Sequence, residues 1–256
     1  MNNQIRVIAF DADDTLWVNE PYFRSAELEF CTLLADIMPK EKVMSILFET
    51  EIANLELYGY GIKGFMLSMI ETVYTICGDK VKPETLKAAI EIGKDMFLKP
   101  IELLDGVEEV LKSLYGKYRL VVATKGDLLD QERKLERSGL YHYFHHIEIM
   151  SDKQEKDYQK LLTHLDCPAQ EFLMIGNSLK SDILPVLAIG GNAVHIPYHI
   201  TWLHEQVEEE ITHFNFYQMD TLSSILPKPI NFLPCSSLNF PKENFGQLSL
   251  NEKLLA

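Results

Sequence analysis

The strongest constraint on the fold of this chain is the order of its apolar runs and helical patterns. Residues 4–10 read QIRVIAF, an apolar run bounded by polar residues, which is typical of a buried strand. Similar runs follow much later, at residues 118–124, 171–176 and 192–197, with a weaker candidate at 146–150. Helix-like segments alternate with them, at residues 106–115, 128–138, 156–165 and 183–189. This alternation predicts an α/β fold with a Rossmann-like parallel sheet covered by helices on both faces.

A purely helical pattern interrupts the alternation directly after the first strand. The pattern predicts helices and no strand, at residues 20–38, 42–57, 62–77 and 83–98. We expect an all-helical domain inserted at the carboxyl end of the first strand, where open α/β sheets build their ligand sites. The predicted domains are a core of residues 1–17 and 101–226, a helical domain of residues 18–100, and a proline-containing C-terminal tail of residues 227–256. The tail is predicted either to wrap the surface in extended form or to be disordered.

Composition excludes several classes of partner. The 256 residues are 46% hydrophobic and 24% charged, which is typical of a soluble globular protein. The formal net charge of -14 argues against nucleic acid and anionic membranes as partners. No apolar run approaches the roughly 20 residues of a membrane-spanning helix, and no signal-like segment begins the chain. The four cysteines are far apart and form no CxxC pair. We therefore expect a cytoplasmic protein with reduced thiols, as a monomer or homodimer.

Acidic residues stand where the first predicted strand ends. Asp11, Asp13 and Asp14 follow it within one short segment, FDADDTL. Carboxylates this close raise one another's pKa unless a cation is present. Side chains two residues apart on an extended segment lie on the same side, so Asp11 and Asp13 can face one space while Asp14 points elsewhere. Taken alone, the triplet is also compatible with a solvated acidic turn.

Polar residues follow the other predicted strands as well. Thr124 ends the second strong strand, and Lys125 precedes a helix whose free N–H groups favour an anion. Lys153 lies ahead of a helix in SDKQEKDY, and Asn177 and Asp182 follow the strand at 171–176. Each has an alternative: Lys153 as a solvated lysine, Asp182 as an acid at a helix start. Because the carboxyl ends of parallel strands meet at one edge of a sheet, their joint occurrence indicates a single site.

The order of these motifs resembles the haloacid dehalogenase-like hydrolase superfamily. Its signature is DxDx[TV] after strand one, Thr or Ser after strand two, a Lys ahead of strand four, and an acidic motif after strand four. The resemblance covers about residues 4–200, and the helical insert is similar to the family's type-1 cap domain. It implies a hydrolase that uses Mg²⁺ and acts on phosphoric monoesters.

The resemblance also implies a role for each matching residue. Asp11 is the nucleophile that forms an aspartyl-phosphate, and Asp13 is the general acid and base. Lys153 is catalytic and, with Thr124 and Lys125, binds the phosphate. The implied metal ligands are Asp11, Asp13 through its backbone carbonyl, Asp182 and Asn177.

Two positions bear on the choice within the family. Asn177 stands where many members have Asp, so we expect metal binding to survive with weaker affinity. The dehalogenase branch has no acid at the second position after the nucleophile, so Asp13 favours phosphoryl transfer.

Lys156 is the alternative for the catalytic lysine. Tyr158 lies five residues after Lys153, and this favours Lys153, because the family places an aromatic residue near that spacing.

The predicted substrate is a small phosphorylated metabolite, a soluble phosphomonoester. The alternatives are a phosphomutase acting on a sugar phosphate and a non-catalytic binding module that keeps the fold. Two segments could reach a substrate, the turn at residues 58–63 and the run at residues 195–202, although connecting and packing roles are favoured for both. Neither segment distinguishes a sugar phosphate from a nucleotide.

Overall fold

The computed structural model describes residues 5–226, so the tail predicted at residues 227–256 lies outside the described residues. The chain forms two compact units. The first contains the chain up to Glu20 and resumes at Ile101, and it carries the sheet. The second contains Pro21–Pro100 and is all-helical in the described structure.

The first unit is built on a parallel sheet. Its strands in chain order are β1 Val7–Phe10, β2 Arg119–Lys125, β3 His146–Met150, β4 Phe172–Gly176, β5 Asn192–His195 and β6 Phe216–Gln218. Their spatial order is β3-β2-β1-β4-β5-β6, and every pair is parallel. The predicted parallel sheet is therefore confirmed. Strand β1 lies between β2 and β4, which brings the segments after these three strands to one edge of the sheet.

Both faces of the sheet are buried, which explains why its strands read as continuous apolar runs. On β1, Ile8 and Phe10 belong to one hydrophobic cluster, while Val7 and Ala9 belong to the other. The remaining inner strands divide between the clusters in the same alternating way. The sheet is thus a middle layer, and its strand ends are the open positions at which a site can form.

The described residues contain eight α-helices. They are α1 Glu20–Leu33, α2 Lys40–Tyr58, α3 Ile62–Cys77, α4 Pro83–Phe97, α5 Val107–Leu114, α6 Leu128–Ser138, α7 Glu155–His164 and α8 Leu184–Ala188. Helices α5 and α6 contribute to one hydrophobic cluster and α7 and α8 to the other. In the part of the chain that the structure describes, no helix is long and apolar enough to span a membrane.

Some predicted boundaries differ from the structure. Helix α1 ends at Leu33 rather than at residue 38, because the N–H groups of Leu34 and Ala35 bond to carbonyls three residues back, so the chain leaves the α-helical pattern there. The helix predicted at residues 183–189 is α8, and it is preceded by a π-helical turn, Leu179–Ile183. Strand β6 is not predicted from the sequence, because three partly exposed residues carry too little hydrophobic pattern.

Candidate active site

The first strand leads directly into the site. The backbone N–H of Asp11 still donates to the carbonyl of Ile175 at 2.9 Å, so Asp11 is held by the end of the sheet. The chain then turns at Ala12, whose carbonyl accepts the N–H groups of Thr15 and Leu16. The side chain of Asp11 consequently starts from a fixed backbone position, and the residue is only 6% exposed.

Asp14 stabilises the same turn rather than facing Asp11. It has a positive φ of 61°, a left-handed conformation that Asp tolerates better than most residues. Its carboxylate accepts the backbone N–H groups of Asn19 at 2.8 Å and Glu20 at 2.9 Å. Burial raises the pKa of Asp14 to about 7, against the effect of the hydrogen bond from Asn19. Its contacts are consistent with the expectation that it points away from the other two acids.

Lys153 joins two carboxylates from different strand ends. Its Nζ lies 2.5 Å from Oδ1 of Asp11 and 2.6 Å from Oδ1 of Asp182. Burial opposes the charge on Lys153, but the two carboxylates outweigh it and raise the pKa of the ammonium. For Asp11, burial is the larger effect and raises its pKa, although Lys153 counteracts it. Lys156, the alternative lysine, is exposed on α7.

The position of Asp182 depends on the loop that follows β4. The carboxylate accepts the backbone N–H of Ser178 at 3.0 Å, which closes the π-helical turn over the strand end. A Cβ atom at Gly176 would lie 2.2 Å from Oδ2 of Asp182. Only glycine therefore leaves room for this carboxylate beside the strand, which explains the residue type at position 176.

Asn177 is linked to Asp11 through one hydroxyl. The Oγ1 atom of Thr15 lies 3.1 Å from Oδ2 of Asp11 and 3.3 Å from Oδ1 of Asn177. The backbone carbonyl of Asn177 accepts a hydrogen bond from Nε2 of His195 at 3.0 Å. Burial lowers the pKa of His195, so we assign the neutral ring with its proton on Nε2. The side-chain oxygen of Asn177 thus contacts Thr15, and its backbone carbonyl contacts His195.

Thr124 and Lys125 are both at the end of β2 but have different surroundings. Thr124 is buried, and its hydroxyl makes only a long contact of 3.3 Å with the carbonyl of Lys125. The Nζ of Lys125 donates to Oγ of Ser181 at 2.8 Å and to Oε1 of Glu205 at 2.7 Å. Burial alone would raise the pKa of Glu205, but Lys125 and two hydroxyl donors lower it to about 2.

Asp13 has a separate set of donors. Its carboxylate accepts hydrogen bonds from Nε1 of Trp17 at 2.7 Å, from Nε2 of Gln131 at 2.8 Å and from Nζ of Lys134 at 3.0 and 3.2 Å. Lys153 makes no such bond to Asp13 among the contacts of the described residues. The two acids of the DxD segment therefore have different cations, Lys153 for Asp11 and Lys134 for Asp13.

Sequence reasoning missed several residues that contact the predicted ones. They are Thr15, Gln131, Lys134, Ser178, Ser181 and Glu205. The first five lie close to the predicted motifs in the sequence, and Gln131 and Lys134 share one face of α6, but the spacing alone does not show what that face contacts. Glu205 lies in a connecting segment whose sequence shows no hydrophobic periodicity, so no local pattern points to it.

The donor atoms can be compared with the needs of a divalent cation. Among residues 5–226, no three His, Cys, Asp or Glu side chains form a group that could hold a metal ion. The donors at the strand ends are instead two carboxylates, Asp11 and Asp182, together with the amide oxygen of Asn177. Mg²⁺ is usually held by one or two carboxylates, with waters and substrate oxygens completing its shell. The donor set fits Mg²⁺.

The chain is similar to known proteins over most of its length. A family model described as haloacid dehalogenase-like hydrolase matches residues 5–190. A crystal structure of a haloacid dehalogenase-like family hydrolase from Xanthomonas campestris is 37% identical, covers 86% of this chain and 88% of its own, and has a TM-score of 0.77.

More distant similarities are found as well. The HAD-hydrolase YfnB from Bacillus subtilis, solved with bound magnesium, is 18% identical with a TM-score of 0.61, covering 87% of this chain and 97% of its own. At that identity the likeness shows the fold alone. The glyceraldehyde 3-phosphate phosphatase of Methanothermobacter thermautotrophicus is 23% identical over 207 residues, 77% of this chain and 88% of that protein.

Proposed function

Because the chain belongs to the haloacid dehalogenase-like hydrolase family, we propose that it is a Mg²⁺-dependent phosphatase that hydrolyses a small phosphomonoester through an aspartyl-phosphate. The observation that carries the proposal is the contact of Lys153 with both Asp11 and Asp182 at 2.5 and 2.6 Å. It brings a nucleophilic carboxylate, a fixed cation and a second acid to one edge of the sheet. The similarity to a curated phosphatase supports the same reaction.

The first half of the reaction is a displacement at phosphorus. An oxygen of Asp11 attacks phosphorus, and the bond from phosphorus to the leaving oxygen breaks. Asp13 gives its proton to that oxygen, so the product leaves as a neutral alcohol. Lys153, Thr124 and Lys125 hold the phosphoryl oxygens, and Lys153 keeps Asp11 oriented for attack.

The second half releases phosphate. Asp13, now ionised, takes a proton from water, and the water oxygen attacks phosphorus. The bond from phosphorus to the Asp11 oxygen breaks, which regenerates the Asp11 carboxylate and frees phosphate. Asp11, Asp182 and Asn177 would hold Mg²⁺ through their side chains, and Asp13 through its backbone carbonyl. When bound, Mg²⁺ supplies positive charge to the phosphoryl oxygens.

The charge of the chain makes local compensation necessary. A formal net charge of -14 is the wrong sign for attracting an anionic substrate. Lys153 acts at short range in a buried site, as would a cation held by Asp11 and Asp182, and there the attraction for an anion exceeds the repulsion from remote, salt-screened carboxylates. The acidic surface therefore does not argue against a phosphorylated substrate.

The nucleophile is tested by replacing Asp11 with Asn. We expect Asp11→Asn to reduce hydrolysis of p-nitrophenyl phosphate in Mg²⁺ by at least about a thousandfold, because an amide cannot form the phosphoenzyme. Asp36→Asn is the matched control, since Asp36 is exposed in the helical unit. Turnover by Asp11→Asn at the wild-type rate would refute the mechanism.

A panel of phosphorylated metabolites, assayed with Mg²⁺ and with a chelator, tests the reaction class. Release of free phosphate only with Mg²⁺ is the expected result. Isomerisation of a sugar phosphate without phosphate release would indicate a phosphomutase instead. Halide release from a 2-haloacid in the presence of the chelator would indicate dehalogenase chemistry, and no turnover of any compound would favour a binding module.

A further inference from the structure

We propose that Lys134 is a positioning residue for Asp13, assisted by Gln131, and that helix α6 thereby aims the carboxylate that transfers protons to the leaving group and from water. The proposal rests on the proposed phosphatase function and deepens it. It assigns a task to two residues that lie outside the signature motifs.

The contacts of Asp13 determine its orientation. The ammonium of Lys134 lies 3.0 Å from one carboxylate oxygen and 3.2 Å from the other. Gln131 donates to Oδ2 at 2.8 Å, and the indole of Trp17 donates to Oδ1 at 2.7 Å. A carboxylate has about four lone-pair sites, so these donors occupy most of them and leave little rotational freedom. Trp17 is 1% exposed, which makes it a rigid part of this cradle.

Local sequence explains why α6 presents these two donors together. Asp127 caps the helix, because its carboxylate accepts the N–H of Asp130 at 3.2 Å. The cap sets where the helix begins, and residues 131 and 134, three apart, then share one face. Gly126 has a φ of +135°, which favours glycine, and a Cβ atom there would lie 2.8 Å from Nε2 of Gln131, so glycine leaves the amide in place.

Lys134 is itself held in place. Besides Asp13, its ammonium contacts Oδ1 of Asn19 at 2.9 Å and Oδ2 of Asp130 at 3.7 Å. An ammonium has three hydrogens to donate, and three acceptor residues surround this one. Its side chain is only 12% exposed. The ammonium of Lys134 is therefore held in one position, unlike that of a solvent-exposed lysine.

A purely structural salt bridge between α6 and the turn after β1 is the alternative. The two roles differ in what they predict for catalysis. If the salt bridge is only structural, its loss destabilises the protein and lowers activity by the same factor for all substrates. A positioning role weakens proton transfer to the leaving group, so the loss grows as the leaving group becomes more basic.

The kinetic test compares Lys134→Met with wild type on two aryl phosphates. For phenyl phosphate, whose leaving group is strongly basic, we expect kcat/KM to fall by about 10- to 100-fold, within the range that general acid catalysis contributes. For p-nitrophenyl phosphate, whose leaving group needs less protonation, the fall in kcat/KM should be at least ten times smaller. Lys134→Arg should recover part of the loss, because it restores the charge. Arg133→Met is the control, since it removes one charge from an exposed position of the same helix.

The structural test is independent of activity. Crystal structures of wild type and Lys134→Met should show the Asp13 carboxylate displaced from Trp17 or Gln131 in the variant. An unmoved carboxylate, equal losses on both esters, or faster turnover by Lys134→Met would overturn the proposal. If Lys134→Met does not fold, Gln131→Leu carries the same two measurements. Wild type without activity on either ester would refute the phosphatase, and the crystal structures would still decide whether Lys134 positions Asp13.

Discussion

The Nζ of Lys125 lies 2.7 Å from Oε1 of Glu205, a residue 80 positions further along the chain. The second oxygen of Glu205 accepts the hydroxyls of Ser178 and Ser181, each at 2.5 Å. One carboxylate thus ties the segment after β2 and the loop after β4 to the 3₁₀ turn Leu203–Glu205. In the described structure Lys125 contacts this carboxylate and Ser181, and its role in binding phosphate stays a prediction.

The first prediction concerns the pH dependence of stability. Glu205 has an ordinary pKa of 4.5 and a folded-state pKa of about 2, so its ionised form stabilises the fold above pH 4.5. That contribution is lost as the pH falls through about 2. We expect Glu205→Gln to reduce the free energy of unfolding by about 2 to 3 kcal/mol at pH 7 and by about half as much at pH 3. Urea denaturation at both pH values measures the difference.

The matched control for this prediction is Glu209→Gln. Glu209 is exposed on the same connection between β5 and β6. Its replacement should change the free energy of unfolding by less than about 0.5 kcal/mol at either pH. An equal effect of Glu205→Gln at pH 7 and pH 3 would show that the ion pair with Lys125 is not the source of the stability.

A second prediction concerns Lys153. Replacing Lys153 with Met leaves Asp11 and Asp182 buried without their shared cation, which should cost about 3 to 5 kcal/mol of unfolding free energy. Adding Asp182→Asn should recover part of this loss, because one uncompensated charge disappears. Urea denaturation of the single and double variants provides the comparison. Lys156→Met, at an exposed position of α7, should have almost no effect; a similar loss there would argue against the buried ion pairs.

Thr124 gives a prediction that separates binding from stability. Its hydroxyl makes only a 3.3 Å contact, so Thr124→Val should change the free energy of unfolding by less than about 1 kcal/mol. If the hydroxyl binds a phosphoryl oxygen, KM for p-nitrophenyl phosphate should rise about tenfold, since a hydrogen bond to a charged group contributes about 1.5 to 3 kcal/mol. Steady-state kinetics measures this, with Thr163→Val at an exposed position of helix α7 as the control. An unchanged KM would remove Thr124 from the phosphate site.

Asn177 allows a prediction about the metal. Its side-chain oxygen lies 3.3 Å from the hydroxyl that also contacts Asp11, so Asn177→Asp adds a negative charge beside the proposed ligands. We expect Mg²⁺ to bind several-fold more tightly, as measured by isothermal titration calorimetry. Without Mg²⁺, the same variant should be less stable than wild type because another carboxylate joins a crowded site. Unchanged affinity together with unchanged stability would contradict both expectations.

Strands could be predicted from the sequence where they are buried, because burial requires a run of apolar residues. Strands β1 and β4 are apolar on both faces, and residues 4–10 and 171–176 show it directly. Even the weaker candidate at 146–150 is strand β3, His146–Met150. Strand β6 has no such run, because its place depends on pairing with β5 at the edge of the sheet.

Site residues follow the same division. Asp11 and Asp182 follow strands that periodicity locates, and Thr124 lies at the end of another, so the topology of a parallel sheet places all three at the same edge. Asp13 contacts Gln131 and Lys134, which are separated from it in the sequence by 118 and 121 positions. Which helical face meets the turn after β1 depends on packing of α6, and no local pattern contains that information.

The central place of β1 has a consequence for the time scale of motion at the site. Amides of a strand paired on both sides exchange their hydrogens with solvent only when most of the domain unfolds. Asp11 directly follows β1, and its N–H donates a hydrogen bond to the carbonyl of Ile175 in β4. We therefore expect the backbone at the proposed nucleophile to exchange slowly and to keep its place while the surrounding loops fluctuate.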